Sequence, residues 1–443
     1  MKFAALTFTF VTSLSLSTMA NWPGFRGPHQ DGSVQETGLP EKFSKTEGVK
    51  WAAEMPGPAA SVPAVWGDHV FVSSSNPATQ KLIAMSLDAK TGKVKWQHEV
   101  TDGYQHDERS NLASPSPCTN GELVYFFYGT SILVAYDFDG KEVWKRDLGK
   151  DYGTFATQWT YSSSPVLDDG KLYIQVLQRN QAFDFHGMQK GDPNGKNESY
   201  LLALDPKTGK EIWREIRPSD ASAESLEAFS SPVFYTHEGK RQMLVSGGDT
   251  ITGHDAATGK EIWRLVSWNP EKVSHWRLVA SPVAGEGVAL ACAPKKNSVF
   301  AVDLNSKGTV QPLWTSDPKE ASSDVSTPLF YQGKFYILDS DRKALSCIEP
   351  KTGAVIWRGE FPTRIKMESS PTGADGKIFA MDQLGTVFVV KAGGENFEIL
   401  HQATFGQDGL TGTNNDKICR AAVVVSNGDL FIRAQDRLYC VGK

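Results

Sequence analysis

Arg109, Trp159, His275, Trp276, Arg277, Asp324, Lys366 and Glu368 are the side chains of this sequence whose types could bind or transform a small ligand. The two indoles offer flat stacking surfaces, and Arg277 and Lys366 attract anions. Asp324 or Glu368 can act as acid, base or metal ligand. If the chain is an enzyme, Asp324 is the first candidate base, because it is an acid that looks unpaired in its segment. Asn111, Gln158, Tyr161, Glu227, Asn415, Asp416 and Lys417 occupy comparable stretches. The bland alternative is that these groups satisfy one another in a solvated funnel. Local motifs add nothing. There is no H-E-x-x-H and no G-x-S-x-G, and Glu261 stands where a phosphate loop needs Ser or Thr after Gly259-Lys260. Asp184, Asp192, Asn194, Asn197 and Glu198 are oxygen-rich, but their spacing departs from a calcium loop, so a polar cap is expected and no metal site.

Such scattered residues need a scaffold that gathers them. The chain has 443 residues, 40% hydrophobic and 22% charged, which describes a globular protein. Its net charge of -5, without a basic run, argues against a sequence-independent nucleic-acid binder. Twelve tryptophans are more than such a chain needs for its core, and seven share one phrase. Leu87-Asp88-Ala89-Lys90-Thr91-Gly92-Lys93-Val94-Lys95-Trp96 returns in near-intact copies ending at Trp213, Trp263 and Trp357, and in looser ones ending at Trp144 and Trp314. A copy within 395–405 has Leu400 at the Trp position, and Val49-Lys50-Trp51 lacks the part before it.

Each phrase reads as strand, turn, strand, the acidic residue bonding its own backbone and Thr-Gly supplying a positive-φ position. A second hairpin signal lies upstream, as at Ser164-Pro165, Ser281-Pro282, Thr327-Pro328 and Ser370-Pro371. Four short strands per unit match a β-propeller blade. The expected fold is an all-β, eight-bladed propeller over residues 47–443, with Trp51 lending the last blade its fourth strand and closing the ring. In such a ring the loops leading into the innermost strands meet around a central channel, which is why the candidate residues belong together. The 69-residue step between Trp144 and Trp213 marks an insertion near 179–199 on the same face.

Residues 1–20 read as a signal peptide and 21–46 as an N-terminal arm. Asn21 in place of Cys gives no lipid anchor, and no apolar stretch is long enough to span a membrane, so an exported, periplasmic or secreted monomer is expected. Five cysteines without a C-x-x-C or an adjacent pair suit small buried hydrophobes better than metal or redox chemistry.

The phrase Ala84-x-x-x-Asp88-x-x-Thr91-Gly92-Lys93-x-x-Trp96 resembles the tryptophan-docking motif of the pyrroloquinoline-quinone (PQQ) repeat propellers. That family spans quinoprotein alcohol dehydrogenases and non-enzymatic proteins similar to the outer-membrane assembly factor BamB. The stretch Trp22-Pro23-Gly24-Phe25-Arg26-Gly27-Pro28 is similar to the start of exported PQQ-repeat proteins of planctomycetes. The dehydrogenases carry adjacent cysteines over the quinone, which this sequence lacks. The expectation is therefore a non-catalytic scaffold without a cofactor, binding an envelope protein or peptide. The alternative is a dehydrogenase using PQQ with Ca²⁺ at the central channel.

Overall fold

The computed structural model describes residues 20–107, 110–184, 189–406 and 418–443. Residues 1–19 of the proposed signal peptide and Arg109, Asn415, Asp416 and Lys417 lie outside them. Among the described residues, eight sheets of four antiparallel strands form a ring. The innermost strands, blade 1 to blade 8, are Ala64–Trp66, Cys118–Thr119, Val166–Asp168, Val233–His237, Val283–Gly285, Leu329–Tyr331, Thr372–Ala374 and Val424–Ser426. Blade 8 is completed by Val49–Glu54, which pairs with Arg437–Val441, Trp51 facing Cys440. Blade 4 gains a fifth strand, because Gly308–Val310 runs parallel to Glu261–Leu265 and covers its outer edge. No helix among the described residues is long and apolar enough to cross a membrane. All five cysteines are buried and unbridged.

The repeat phrase works as a clasp between neighbours. Asp88 Oδ1 accepts from the Lys90 and Thr91 backbone N–H groups and from the Thr91 hydroxyl, which shapes the turn. The turn glycine then packs against the tryptophan of the preceding blade. A Cβ at Gly92 would lie 2.5 Å from Trp51, and one at Gly209 2.8 Å from Trp144. The indole N–H donates to a carbonyl beside the same glycine: Trp51 to Ala89 at 2.9 Å, Trp144 to Pro206 at 2.8 Å and Trp314 to Pro350 at 2.8 Å.

Blade 7 corrects one assignment. The outer strands of blades 1 to 4, 6 and 8 carry a bulge just before the docking tryptophan, and in blade 7 the same register puts His401, not Leu400, at that position. Leu400 points outward and is 45% exposed. The His401 ring packs edge-on against Phe43 at 4.8 Å, and its Nε2 lies 2.7 Å from the Phe43 carbonyl. Blade 8 has no Thr-Gly turn, since two distant segments supply its outer strands, and the arm furnishes the docking carbonyl instead.

The arm also floors the channel. Trp22 exchanges two backbone bonds with Val65 of blade 1, and Pro23 accepts from Thr119 of blade 2. Across the axis, Arg26 donates to the Pro328 and Pro371 carbonyls of blades 6 and 7. Gln30 accepts from Phe234 N–H of blade 4, and Asp31 and Gly32 accept from Phe330 and Gly373 N–H groups. The Trp-Pro-Gly-Phe-Arg-Gly stretch is a compact knot: Gly27, at φ +75°, packs on the fully buried Trp22, and Gly32, at φ +88°, lies against the Arg26 guanidinium. Neither position has room for a side chain. The channel is therefore a blind cup, open only opposite the Thr-Gly turns.

Candidate functional site

The cup is walled by the residues that lead into the innermost strands, and strand alternation makes every second residue face the axis. Two positions before those strands stand Ser116, Ser164, Ser231, Ser281, Thr327 and Ser370 in blades 2 to 7, all lining the cup. Each hydroxyl accepts a backbone N–H from the blade before it. Val62 donates to Ser116, Ser116 to Ser164, Ser164 to Ser231, Ser231 to Ser281, Ser281 to Thr327 and Thr327 to Ser370, at 2.8 to 3.0 Å. An accepting hydroxyl keeps its own hydrogen to donate. The tier stops in blades 8 and 1, where Ala422 and Val62 hold the equivalent positions. Two residues nearer the mouth, the wall reads Ala60, Ser114, Ser162, Phe229, Val279, Val325, Glu368 and Arg420, with Glu368 and Arg420 ion-paired at 2.7 Å. Phe25 of the arm closes the cup from below.

Above these tiers sits a polar rim. Glu224, in the 3-10 turn Ala223–Leu226, accepts from the Trp159 indole at 2.8 Å and from Arg277 at 2.5 Å. The Arg277 guanidinium lies 4.8 Å from the Trp159 ring centroid, a cation–π contact that stiffens this wall. Asp324 Oδ1 accepts the Lys295 backbone N–H at 2.6 Å. Lys366 pairs with Asp341 at 2.9 Å. Asp107, in the lead-in to blade 2, reaches the Thr160 N–H and hydroxyl of blade 3's lead-in at 2.6 and 2.7 Å.

Trp159, Arg277, Asp324, Lys366 and Glu368 thus share one cup of about 270 Å³, close to the lower end of the ~300–1,000 Å³ usual for small-molecule sites. His275 is exposed beside it, and Trp276 packs instead against the core between blades 4 and 5. Trp159 and Trp276 hold the same register, seven residues before their innermost strands, and the 3-10 turn separates their fates. Glu224 draws Trp159 to the cup, while Ser225 Oγ accepts the Trp276 backbone N–H at 2.7 Å.

Glu227 lies below the rim, fully buried, and bonds Arg179 of the insertion at 2.5 Å. Burial still pushes its carboxyl up to about 7 against that ion pair. The insertion itself is folded on Asn197, which accepts from Asp192 N–H and donates to its carbonyl. Among the described residues, no three His, Cys, Asp or Glu side chains converge to hold a metal ion.

The hydroxyl tier, Glu224, Lys295, Arg420 and Phe25 were not singled out from sequence. The recurrent Ser-Pro and Thr-Pro pairs carried the tier's signal, but as hairpin markers they gave the hydroxyl no direction.

An all-β ring of eight blades with a floored axial cup defines a β-propeller open at one end. A family model described as "Outer membrane protein assembly factor BamB" matches residues 42–190, 195–311 and 295–398, and the chain belongs to this PQQ-repeat family. Among curated proteins it is similar to a polyvinylalcohol dehydrogenase of Pseudomonas sp., 28% identical over 206 residues, 46% of this chain and 30% of that one. A quinoprotein ethanol dehydrogenase of Pseudomonas aeruginosa is 32% identical over 136 residues, 29% of this chain and 19% of the relative. The chain thus aligns with less than a third of the length of these relatives. Two solved structures share the fold. One is the quinohemoprotein alcohol dehydrogenase of Comamonas testosteroni, with TM-score 0.63, 14% identity, 96% of this chain and 81% of that one. The other is BamB of Moraxella catarrhalis, with TM-score 0.58, 12% identity, 89% of this chain and 99% of that one. Two expectations are corrected by these matches. A non-catalytic protein and one without a cofactor were expected from the missing cysteine pair. The curated relatives that match are named dehydrogenases, quinoproteins among them, which overturns both.

Proposed function

We propose that this chain is a quinone-dependent dehydrogenase that oxidises an alcohol at the mouth-side cup. The observation that carries the reading is the cup's lining: an indole braced by Arg277, hydroxyl donors and Arg420 in the wall, and Lys295 and Lys366 at the rim. A flat, tricarboxylated quinone such as PQQ fits this lining, its rings against Trp159 and its carboxylates among the cations and hydroxyls. A bound quinone of this kind supplies the acceptor for the two electrons removed from the alcohol carbon. Asp324 takes the hydroxyl proton, because it lines the cup and is held through one oxygen by a backbone N–H rather than by a cation. The floor and hydroxyl wall exclude bulk water from the closed end. A calcium partner finds no three-carboxylate set among the described residues, so no step is assigned to a metal. On this reading the chain acts as an exported monomer, periplasmic or secreted.

The test is titration with PQQ, with and without Ca²⁺, followed by dye reduction with ethanol and polyvinyl alcohol. We expect thermal stabilisation, quenching of Trp159 fluorescence and dye reduction. Asp324→Asn should retain binding and lose about 10²–10⁴-fold in turnover. Neither stabilisation nor dye reduction in the wild type would overturn the reading.

A further inference from the structure

Arg433 is a buried cation that pairs with no carboxylate among the described residues. It lies on Asp429–Ala434, the second strand of blade 8, and its side chain enters the seam with blade 1, where it is 2% exposed. Its Nη1 donates to Ser61 Oγ at 3.0 Å and to the Ser73 carbonyl at 2.7 Å, and its Nη2 approaches the Gly57 carbonyl at 3.4 Å. Its Nε is buried with no hydrogen-bond partner. Among the described residues no carboxylate bonds it. Burial brings its pKa down to about 10, and the Cys419 thiol is the titratable neighbour that acts on it.

A guanidinium removed from water is ordinarily matched by an anion, because an isolated buried charge costs several kcal/mol. Arg433 lines a small cavity with Asn111, Cys419 and Gln435. Two other charged residues line it, and both are engaged: Arg420 with Glu368, and Asp107 with Ser110 N–H and Thr160. Asn111 spends one amide hydrogen on the Pro58 carbonyl and keeps the other. The cavity measures about 20 Å³, enough for one water-sized particle and too small for a carboxylate, sulfate or phosphate.

We propose that this cavity is a halide site, holding one chloride ion as the counter-ion of Arg433. The ion would sit where the hydroxyl tier is interrupted and where the ring is closed by distant segments, so it ties blade 8 to blade 1. The cavity adjoins the cup, sharing Ala60, Asp107, Ser110 and Arg420 with its wall, so the bromide and salt tests are run on the protein without added quinone.

Crystals of the full chain grown in sodium bromide, with data at the bromine edge, test this directly. An anomalous peak within bonding distance of Arg433 Nε is expected. In solution, melting in sodium chloride should exceed melting in sodium gluconate of equal ionic strength by a few degrees. Arg433→Met should remove that difference. No anomalous peak at Arg433, together with equal melting in the two salts, would mean that a water fills the cavity and the proposal is wrong. Should Arg433→Met not fold, the bromide peak in the wild type decides alone.

Discussion

The two faces of the ring are built on opposite principles. On the turn face, the same few residues recur in blades 1, 3, 4 and 6, each Thr-Gly turn taking the tryptophan of the blade before it. On the mouth face, equivalent positions hold Ala60, Ser114, Ser162, Phe229, Val279, Val325, Glu368 and Arg420 in turn. Uniformity makes the ring, and departure from it makes the site. The two are separable because a blade's outer strands are clasped through the turn face while its innermost lead-in is left to vary.

The largest effect tests the clasp itself, by comparing two glycines of the turn face, and it is steric. Gly209 has φ +68° and a would-be Cβ 2.8 Å from Trp144, so Gly209→Val should cost roughly 3–5 kcal/mol by combining backbone strain with overpacking. Gly170, at φ +70° but with nothing within 4 Å, bears only the strain, so Gly170→Ala should cost about 1–2 kcal/mol. Urea denaturation measures both, and equal losses would break the clasp account.

Acid-base behaviour should distinguish the faces next. Glu227, near the mouth, is raised from 4.5 to about 7 by burial, so it holds its proton more tightly in the folded state. Its contribution is full below about 4.5 and is lost as pH rises through about 7. His254, bonded to the Gly259 carbonyl on the turn face, is lowered from 6.5 to about 4 by burial. Its contribution is full above about 6.5 and is lost as pH falls through about 4. Between these limits the two slopes oppose one another, each spanning at most roughly 3 kcal/mol. Glu227→Gln should leave stability rising with pH across that interval, and His254→Phe should leave it falling. Denaturation midpoints from pH 4 to 8 read the slopes.

A smaller contrast sits within the mouth face. Trp159→Ala should weaken quinone binding by about 30-fold, roughly 2 kcal/mol, while costing little stability. Trp276→Ala should do the reverse, and a loss of binding in both would show that their shared register matters more than the 3-10 turn. The smallest effect is expected from Ser231→Ala, which strips Ser164 N–H of its acceptor and should cost about 1 kcal/mol in unfolding free energy.

Sequence legibility follows the same divide. The turn face was readable because its chemistry is local: an acidic residue, a Thr-Gly and a tryptophan lie within one short phrase. The exception, His401 mistaken for Leu400, arose because a bulge shifts register by one residue and only strand pairing reveals it. The mouth was readable only as a list of lead-in loops. Nothing near Trp159 or Trp276 says which will face the cup, since the deciding residues, Glu224 and Ser225, lie 65 and 51 positions away respectively. Arg26 was equally opaque, because its partners come from blades across the axis.

That floor has a kinetic meaning. Arg26 bonds carbonyls 302 and 345 residues further along the chain, so the plug can seat only after blades 6 and 7 exist to receive it. Contacts at such separation are slow to form, and those formed after the rate-limiting step chiefly retard unfolding. The short knot beneath the cup therefore acts as a latch on the finished ring: it adds to the lifetime of the native state more than to the speed of reaching it.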